Sequence, residues 1–167
     1  MKVILVMALT VDGKTGLTSN HFPDWTEPAD KKLFMSVSKK AGVIIMGSKT
    51  FDTFGAPLPG RKHVVLTRNA DRAVEGGQVV FTSKKPAEIL ADLEMEGYGE
   101  AVLGGGGGIN FLFACEGLID EILVTFSPKI FGAGLSLFSD KIIMDLALLE
   151  TGILGEHTVF ARYRVIR

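Results

Sequence analysis

The 167-residue sequence predicts an α/β protein: a central, mostly parallel sheet with helices on both faces and antiparallel strands at the C-terminal end. Three observations carry that expectation. Short continuous apolar runs such as "VILVMA" and "GVIIMG" read as strands buried on both faces, as parallel sheets require. Longer segments between them repeat their apolar residues every three or four positions, the period of a helix with one buried side. The tail over 146–167 then changes to strand, glycine-containing turn, strand.

Taken in chain order, the first strand is "KVILVMA" at 2–8. It has a single flanking lysine and no small-residue cleavage site, and it runs into the polar turn "TVDGKTG", so it reads as core and not as a leader. A helix is predicted over 29–41 ("ADKKLFMSVSKKA"), a strand over 42–47, a short helix over 49–54, and strands over 62–67 and 78–82. A helix over 85–97 ("KPAEILADLEMEG") follows. A strand at 100–103, a helix at 109–118 and a strand at 121–126 lead into the tail. No repeat or linker interrupts this order, so residues 1–167 are expected to form one domain.

Composition narrows the class. With 47% hydrophobic and 22% charged residues and a net charge of −1, the chain has the make-up of an ordinary globular protein, without the basic excess of a nucleic-acid or anionic-membrane binder. Its single cysteine, Cys115, has no internal disulfide partner, and a reducing cytoplasm is the expected setting. His21, His63 and His157 are scattered, so no metal cluster is predicted, and no serine sits in a nucleophile elbow.

Two segments have the form strand, glycine, helix, where open α/β sheets bind anions: "GVIIMGSKTF" and "EAVLGGGGGINFLF". Neither matches a P-loop or a dinucleotide fingerprint. Five successive glycines, Gly104–Gly108, sacrifice much backbone entropy, which is expected where the chain approaches something closely or adopts conformations closed to other residues. Two such sites on one sheet point to an extended ligand with more than one phosphate.

The segments "WTEPAD", "IMGSKTFDTFGAPLPGRKHVVLTRN" and "GGGGGIN" resemble, in order and spacing, those of dihydrofolate reductases, while "LTVDGKTG" and the stretch from "INFLFACEGL" to "GAGLSLF" are similar to the pyrimidine reductases of riboflavin synthesis. Both resemblances imply a dihydrofolate reductase-like fold and hydride transfer from NADPH. The first implies dihydrofolate as the small-molecule substrate and a monomer or homodimer; a nucleotide-binding protein that has kept this fold without the reaction is the non-enzymatic alternative.

Residue by residue, the dihydrofolate reductase resemblance makes Asp30 the carboxylate that orients the pterin and assists protonation, braced by Thr125 in "EILVTF". It assigns substrate contacts to Val6, Ala8, Trp25, Phe34, Phe54, Arg61 and Leu103, with Arg61 gripping a glutamate carboxylate. Cofactor contacts fall on Ala8, Gly16, Gly47, Ser48, Lys49, Thr50, Leu66, Thr67, Arg68, Gly105, Gly106, Gly107, Gly108 and Ile109, with Arg68 and Lys49 meeting the 2′-phosphate and a cis bond between Gly105 and Gly106. Two positions depart from the family pattern. Lys31 replaces a usually apolar residue, within reach of substrate carboxylates, and Gly108 replaces a residue that is often basic.

Overall fold

The computed structural model describes residues 1–72 and 77–167. Its main sheet has eight strands, built from β1 (Lys2–Thr10), β3 (Val43–Gly47), β4 (Lys62–Leu66), β5 (Val79–Thr82), β6 (Glu100–Leu103), β7 (Glu121–Ser127), β9 (Leu146–Leu154) and β10 (Thr158–Val165). The spatial order is β5-β4-β3-β6-β1-β7-β10-β9; the first six are parallel, and β10 and β9 close the sheet antiparallel, as expected from the change of pattern in the tail.

Strand alternation divides the core into two layers. Val3, Leu5, Val43 and Ile45 point to one side, where α3 (Pro86–Met95) and α4 (Gly107–Cys115) supply Ile89, Leu93 and Phe113. Ile4, Val6, Ile44 and Met46 point to the other, against Phe34 and Val37 of α1 (Pro28–Ala41) and Phe51 of α2 (Ser48–Phe54). Helices therefore cover both faces. At the amino ends of β1 and β7, Glu121 of β7 accepts Lys2 of β1 at 2.6 Å and Arg162 of β10 at 2.6 Å, tying three adjacent strands together. Burial alone would push the Glu121 carboxyl up, but these two cations hold it below its ordinary value.

Three details differ from the sequence expectation. A ribbon of β2 (Lys14–Gly16) and β8 (Leu135–Ser136) lies outside the main sheet; these strands are too short for a periodic signal. At its edge Gly134 has φ 148°, and a Cβ there would lie 2.4 Å from the Gly16 carbonyl oxygen. Helix α4 begins at Gly107 instead of 109, because the backbone N–H groups of Ile109 and Asn110 already bond to the Gly106 carbonyl. Finally, β9 is an edge strand that leaves Leu148 57% and Ile153 77% exposed, so its apolar residues do not mark core as those of β1 do.

Candidate active site

The carboxyl ends of β1, β3, β4, β5 and β6 open into one cleft of about 1510 Å³, on the side of the sheet where parallel α/β folds place ligands. That volume exceeds the several hundred cubic ångströms of a typical one-ligand pocket and leaves room for two molecules side by side. The cleft has two arms with different chemistry.

One arm is lined by α1. Asp30 stands in its first turn, half-buried, and Phe34 follows one turn later on the same stripe. Thr125, 2% exposed in β7, donates from Oγ1 to Asp30 Oδ1 at 2.6 Å. The pair spans 95 positions of sequence, and the register of β1 against β7, which sets Ala8 beside Thr125, brings the buried hydroxyl to Asp30 from behind the cleft lining. Oδ2 of Asp30 accepts no hydrogen bond among the described residues. Phe34 and Phe54 form a near-parallel pair with centroids 6.2 Å apart. Val6, Ala8, Trp25, Met35 and Leu58 complete an apolar slot beside Asp30.

The other arm is basic and rich in hydroxyls. Ser48, Lys49 and Thr50 follow β3, Thr67 and Arg68 follow β4, and Ser83, Lys84 and Lys85 follow β5; Leu66 and Ile109 flank them. Lys84 is paired with Asp92, whereas Lys49, Arg68 and Lys85 have no ion pair among the described residues. Gly106, Gly107 and Gly108 bring the start of α4, the positive end of its dipole, to this arm. The residues of β5 were missed from sequence; the available signal was "TSKK" directly after a parallel strand, the same place that "GSKT" and "LTRN" hold after theirs.

The glycine run has more than one reason for its composition. Gly105 lies off the cleft wall: it has φ 90°, its carbonyl accepts the Gly47 N–H at 2.8 Å, and a Cβ would come 2.8 Å from Met7 Sδ. The Gly105–Gly106 bond is cis. A Cβ on Gly107 would lie 2.9 Å from the Ser136 carbonyl oxygen, whereas one on Gly108 would meet nothing within 4 Å. Packing therefore requires glycine at 105 and 107, and at 108 the space is open.

Three other expected contacts also lie away from the cleft surface. Leu103 is fully buried in the core, because it sits in β6 between β1 and β3. Gly16 is buried in the β2–β8 ribbon. Arg61 is 4% exposed: Nε donates to the Pro59 carbonyl at 3.1 Å, and Nη1 donates to Ser38 Oγ at 2.6 Å and the Met35 carbonyl at 3.4 Å. Burial pulls this guanidinium below its ordinary pKa. Only Nη2 is without a protein acceptor among the described residues.

The segment over 11–25, which includes β2, lines the cleft through Thr15, Thr18, His21, Phe22 and Trp25. Asp12 clasps its start, accepting the Thr10 hydroxyl at 2.6 Å and the backbone N–H groups of Gly132 at 2.8 Å and Phe131 at 3.2 Å. Those bonds, the Thr10 hydroxyl first, hold the Asp12 carboxyl below its ordinary value. Phe131 in turn packs against His21 and Trp25, with centroids at 5.5 and 5.3 Å. The loop wall that bears Trp25 thus rests on a segment more than a hundred residues away.

The profile of the family described as "Dihydrofolate reductase" matches residues 2–126. Among curated relatives, dihydrofolate reductase type 3 of Salmonella typhimurium is 36% identical over 107 residues, 64% of this chain and 61% of that protein. Dihydrofolate reductase type A13 of Escherichia coli is 36% identical over 100 residues, 59% and 58% of the two. The matched stretch thus spans about three fifths of those relatives' length. Among solved structures, a putative riboflavin biosynthesis protein from Shewanella sp. PV-4 superposes with a TM-score of 0.84 over all of both chains at 24% identity. Dihydrofolate reductase from Enterococcus faecalis, complexed with NADP(H), gives 0.74 over 98% of this chain and 96% of that one at 25% identity. With the profile covering most of its length and the cleft standing where the fold predicts, the chain belongs to the dihydrofolate reductase family.

Proposed function

We propose that this protein reduces the C=N bond of 7,8-dihydrofolate to give tetrahydrofolate, using NADPH. The observation that carries the reading is the Asp30–Thr125 pair at 2.6 Å beside an apolar slot walled by Phe34 and Phe54. A flat, hydrogen-bonding heterocycle fits that combination: rings against the phenylalanines, amino and ring N–H groups toward a carboxylate. Thr125 spends its proton on Oδ1, so Oδ2 is free to accept from the ring edge, and the lone pairs of Oγ1 can accept from an amino group. Asp30 then orients the ring and assists delivery of a solvent proton to the imine nitrogen.

The basic arm fits a phosphorylated nicotinamide dinucleotide. Its hydroxyls and the first N–H groups of α4 suit a pyrophosphate, and Arg68 and Lys49 suit a further phosphate. NADPH, when bound, supplies the hydride. Around it the chain provides position, with Ala8 and the 11–25 loop on one side and Gly106–Gly108 on the other, and shields the reacting atoms from water.

A second reading, reduction of the ribosylaminopyrimidine phosphate of riboflavin synthesis, is favoured by the full-length superposition on the Shewanella protein. Loss of NADPH absorbance, followed with dihydrofolate and separately with the aminopyrimidine phosphate, tests both. Turnover of dihydrofolate is the expected result; turnover of the pyrimidine alone would replace the first reading by the second.

A further inference from the structure

Asp30 is tied to β7 through Thr125, and the helix turn that bears it is tied to a second element, the turn between β9 and β10. Glu27 makes that second connection. As the N-cap of α1, it accepts the Asp30 N–H on its carbonyl at 3.1 Å. An N-cap side chain commonly accepts from the first N–H groups of its own helix; that of Glu27 makes no such bond. It reaches 130 positions along the sequence to the backbone of His157, whose N–H donates to Oε1 at 3.2 Å and to Oε2 at 3.3 Å. The buried Thr158 hydroxyl completes no hydrogen bond of its own, yet it lies near enough to be the leading influence that holds the Glu27 carboxyl below its ordinary value. Gly155, at φ 78°, closes the contact from the side of the turn: a Cβ there would lie 3.0 Å from Ala29 Cβ and 3.1 Å from Glu27 Oε2.

These contacts close a ring. Strand β10 runs beside β7 with Phe160 opposite Thr125, so the register that places Thr125 also places Thr158 and His157 two and three residues earlier on the neighbouring strand and its turn. From His157 the ring passes to Glu27, from Glu27 to the Asp30 N–H, and from the Asp30 carboxylate back to Thr125. We infer that Glu27 is a positioning residue for Asp30. Its carboxylate fastens the first turn of α1 to the β9–β10 turn and so fixes the distance and direction at which Asp30 meets Thr125 and a bound ring. Glu27 itself does not line the cleft, so it acts through Asp30 and touches neither substrate nor cofactor. The inference rests on the reading of Asp30 as the acid that faces the substrate. It adds that the sheet end farthest from the basic arm sets the geometry of that acid.

Steady-state rates of Glu27→Ala and Glu27→Gln, and of Glu27→Ala combined with Asp30→Asn, test the assignment. Glu27→Ala should lower kcat for dihydrofolate about 10-fold, the scale of a small misplacement of a reacting group, and leave KM for NADPH unchanged. Glu27→Gln keeps an oxygen for the His157 N–H and should recover most of that loss. On the Asp30→Asn background, Glu27→Ala should cost less than about 2-fold, because the carboxylate that it positions is gone. An equal fold loss on both backgrounds would overturn the assignment and make Glu27 a residue of the fold only. Backbone amide exchange reads the same contact without substrate: over 30–34 it should quicken about 5-fold or more in Glu27→Ala while α3 keeps its protection. Unchanged exchange over 30–34 would overturn the inference even if the rates fall, and so would an equal gain over α3, the mark of a general loss of stability. If the wild type turns over the aminopyrimidine phosphate in place of dihydrofolate, the proposed reaction fails, and the same cycle with that substrate decides the role of Glu27 by the same criteria.

Discussion

At the scale of single residues, Asp30 is the group on which the proposed chemistry turns, and its surroundings separate catalysis from packing. The carboxylate is half-buried, takes one hydrogen bond, and supports no helix cap, since α1 is entered through Glu27 and Pro28. Asp30→Asn should therefore fold and bind NADPH while dihydrofolate reduction falls by about two to four orders of magnitude near neutral pH, the scale of proton-transfer assistance. Near-normal turnover would leave Asp30 with an orienting role only. Arg68 offers a second test. It is exposed at the carboxyl end of β4 without an ion pair among the described residues, so its charge is available to a phosphate. Arg68→Ala should raise KM for NADPH several-fold and leave NADH nearly unaffected; an equal loss with both cofactors would make the residue structural. Arg61 is a different case. Two of its hydrogen bonds reach α1 and a third holds the turn after α2, so its removal costs stability as well as any contact with substrate.

At the scale of elements, the start of α4 shows how one glycine run serves packing and site together. Gly107 lies beneath the strand of Leu135–Ser136, whose Ser136 carbonyl stands where a Cβ would go, while Gly108, one residue on, faces open space. Backbone cannot retreat as a flexible side chain can. Gly107→Ala should lower stability by roughly 1–3 kcal/mol, as overpacking does. Gly108→Ala should be neutral or stabilising by up to about 1 kcal/mol, because alanine restricts the unfolded chain and favours helix. Thermal unfolding of the two variants side by side distinguishes them; equal destabilisation would show that the helix start tolerates no side chain at all. The same contrast explains what was legible from sequence at this element. Five glycines announced a special backbone, but which of them met protein, and which met the cleft, depended on Met7 and Ser136, residues remote in sequence.

At the scale of the whole molecule, two titratable groups, His63 buried and Glu121 partly buried, couple folding to pH. His63 is 1% exposed in β4, and its Nε2 accepts the Leu58 N–H at 3.2 Å, so the ring is held neutral; burial, as the leading cause, lowers its pKa from the ordinary 6.5. The unfolded chain therefore takes up this proton first, and the stability contributed by neutral His63 is complete above about pH 6.5 and declines below it. Glu121, held below its ordinary 4.5 by Lys2 and Arg162 against its desolvation, adds a second decline beneath that value. Denaturant midpoints measured from neutral to acid pH should fall in two stages. His63→Gln, which keeps an acceptor without a titrating ring, should remove the first stage and keep the second; an unchanged profile would show that His63 does not govern it.

The sequence by itself determined the parallel strands, the helices on both sides, the antiparallel close and the two glycine-bearing strand ends, because each follows from local periodicity and backbone freedom. Its resemblance to reductases also paired Asp30 with Thr125. Periodicity and spacing could not have done so, because the contact exists only through the register that sets Ala8 against Thr125 across β1 and β7. Tertiary structure alone decided that Arg61 is buried over Met35 and Ser38 and that Leu103, Gly16 and Gly105 belong to packing. It also decided that Phe131 supports Trp25, and that the lysines after β5 join Lys49 after β3 and Arg68 after β4 in one basic arm. The physical reason is the same in every case. A local pattern fixes which face of an element is buried, whereas the partner met by each buried or charged side chain depends on how distant elements are placed against one another.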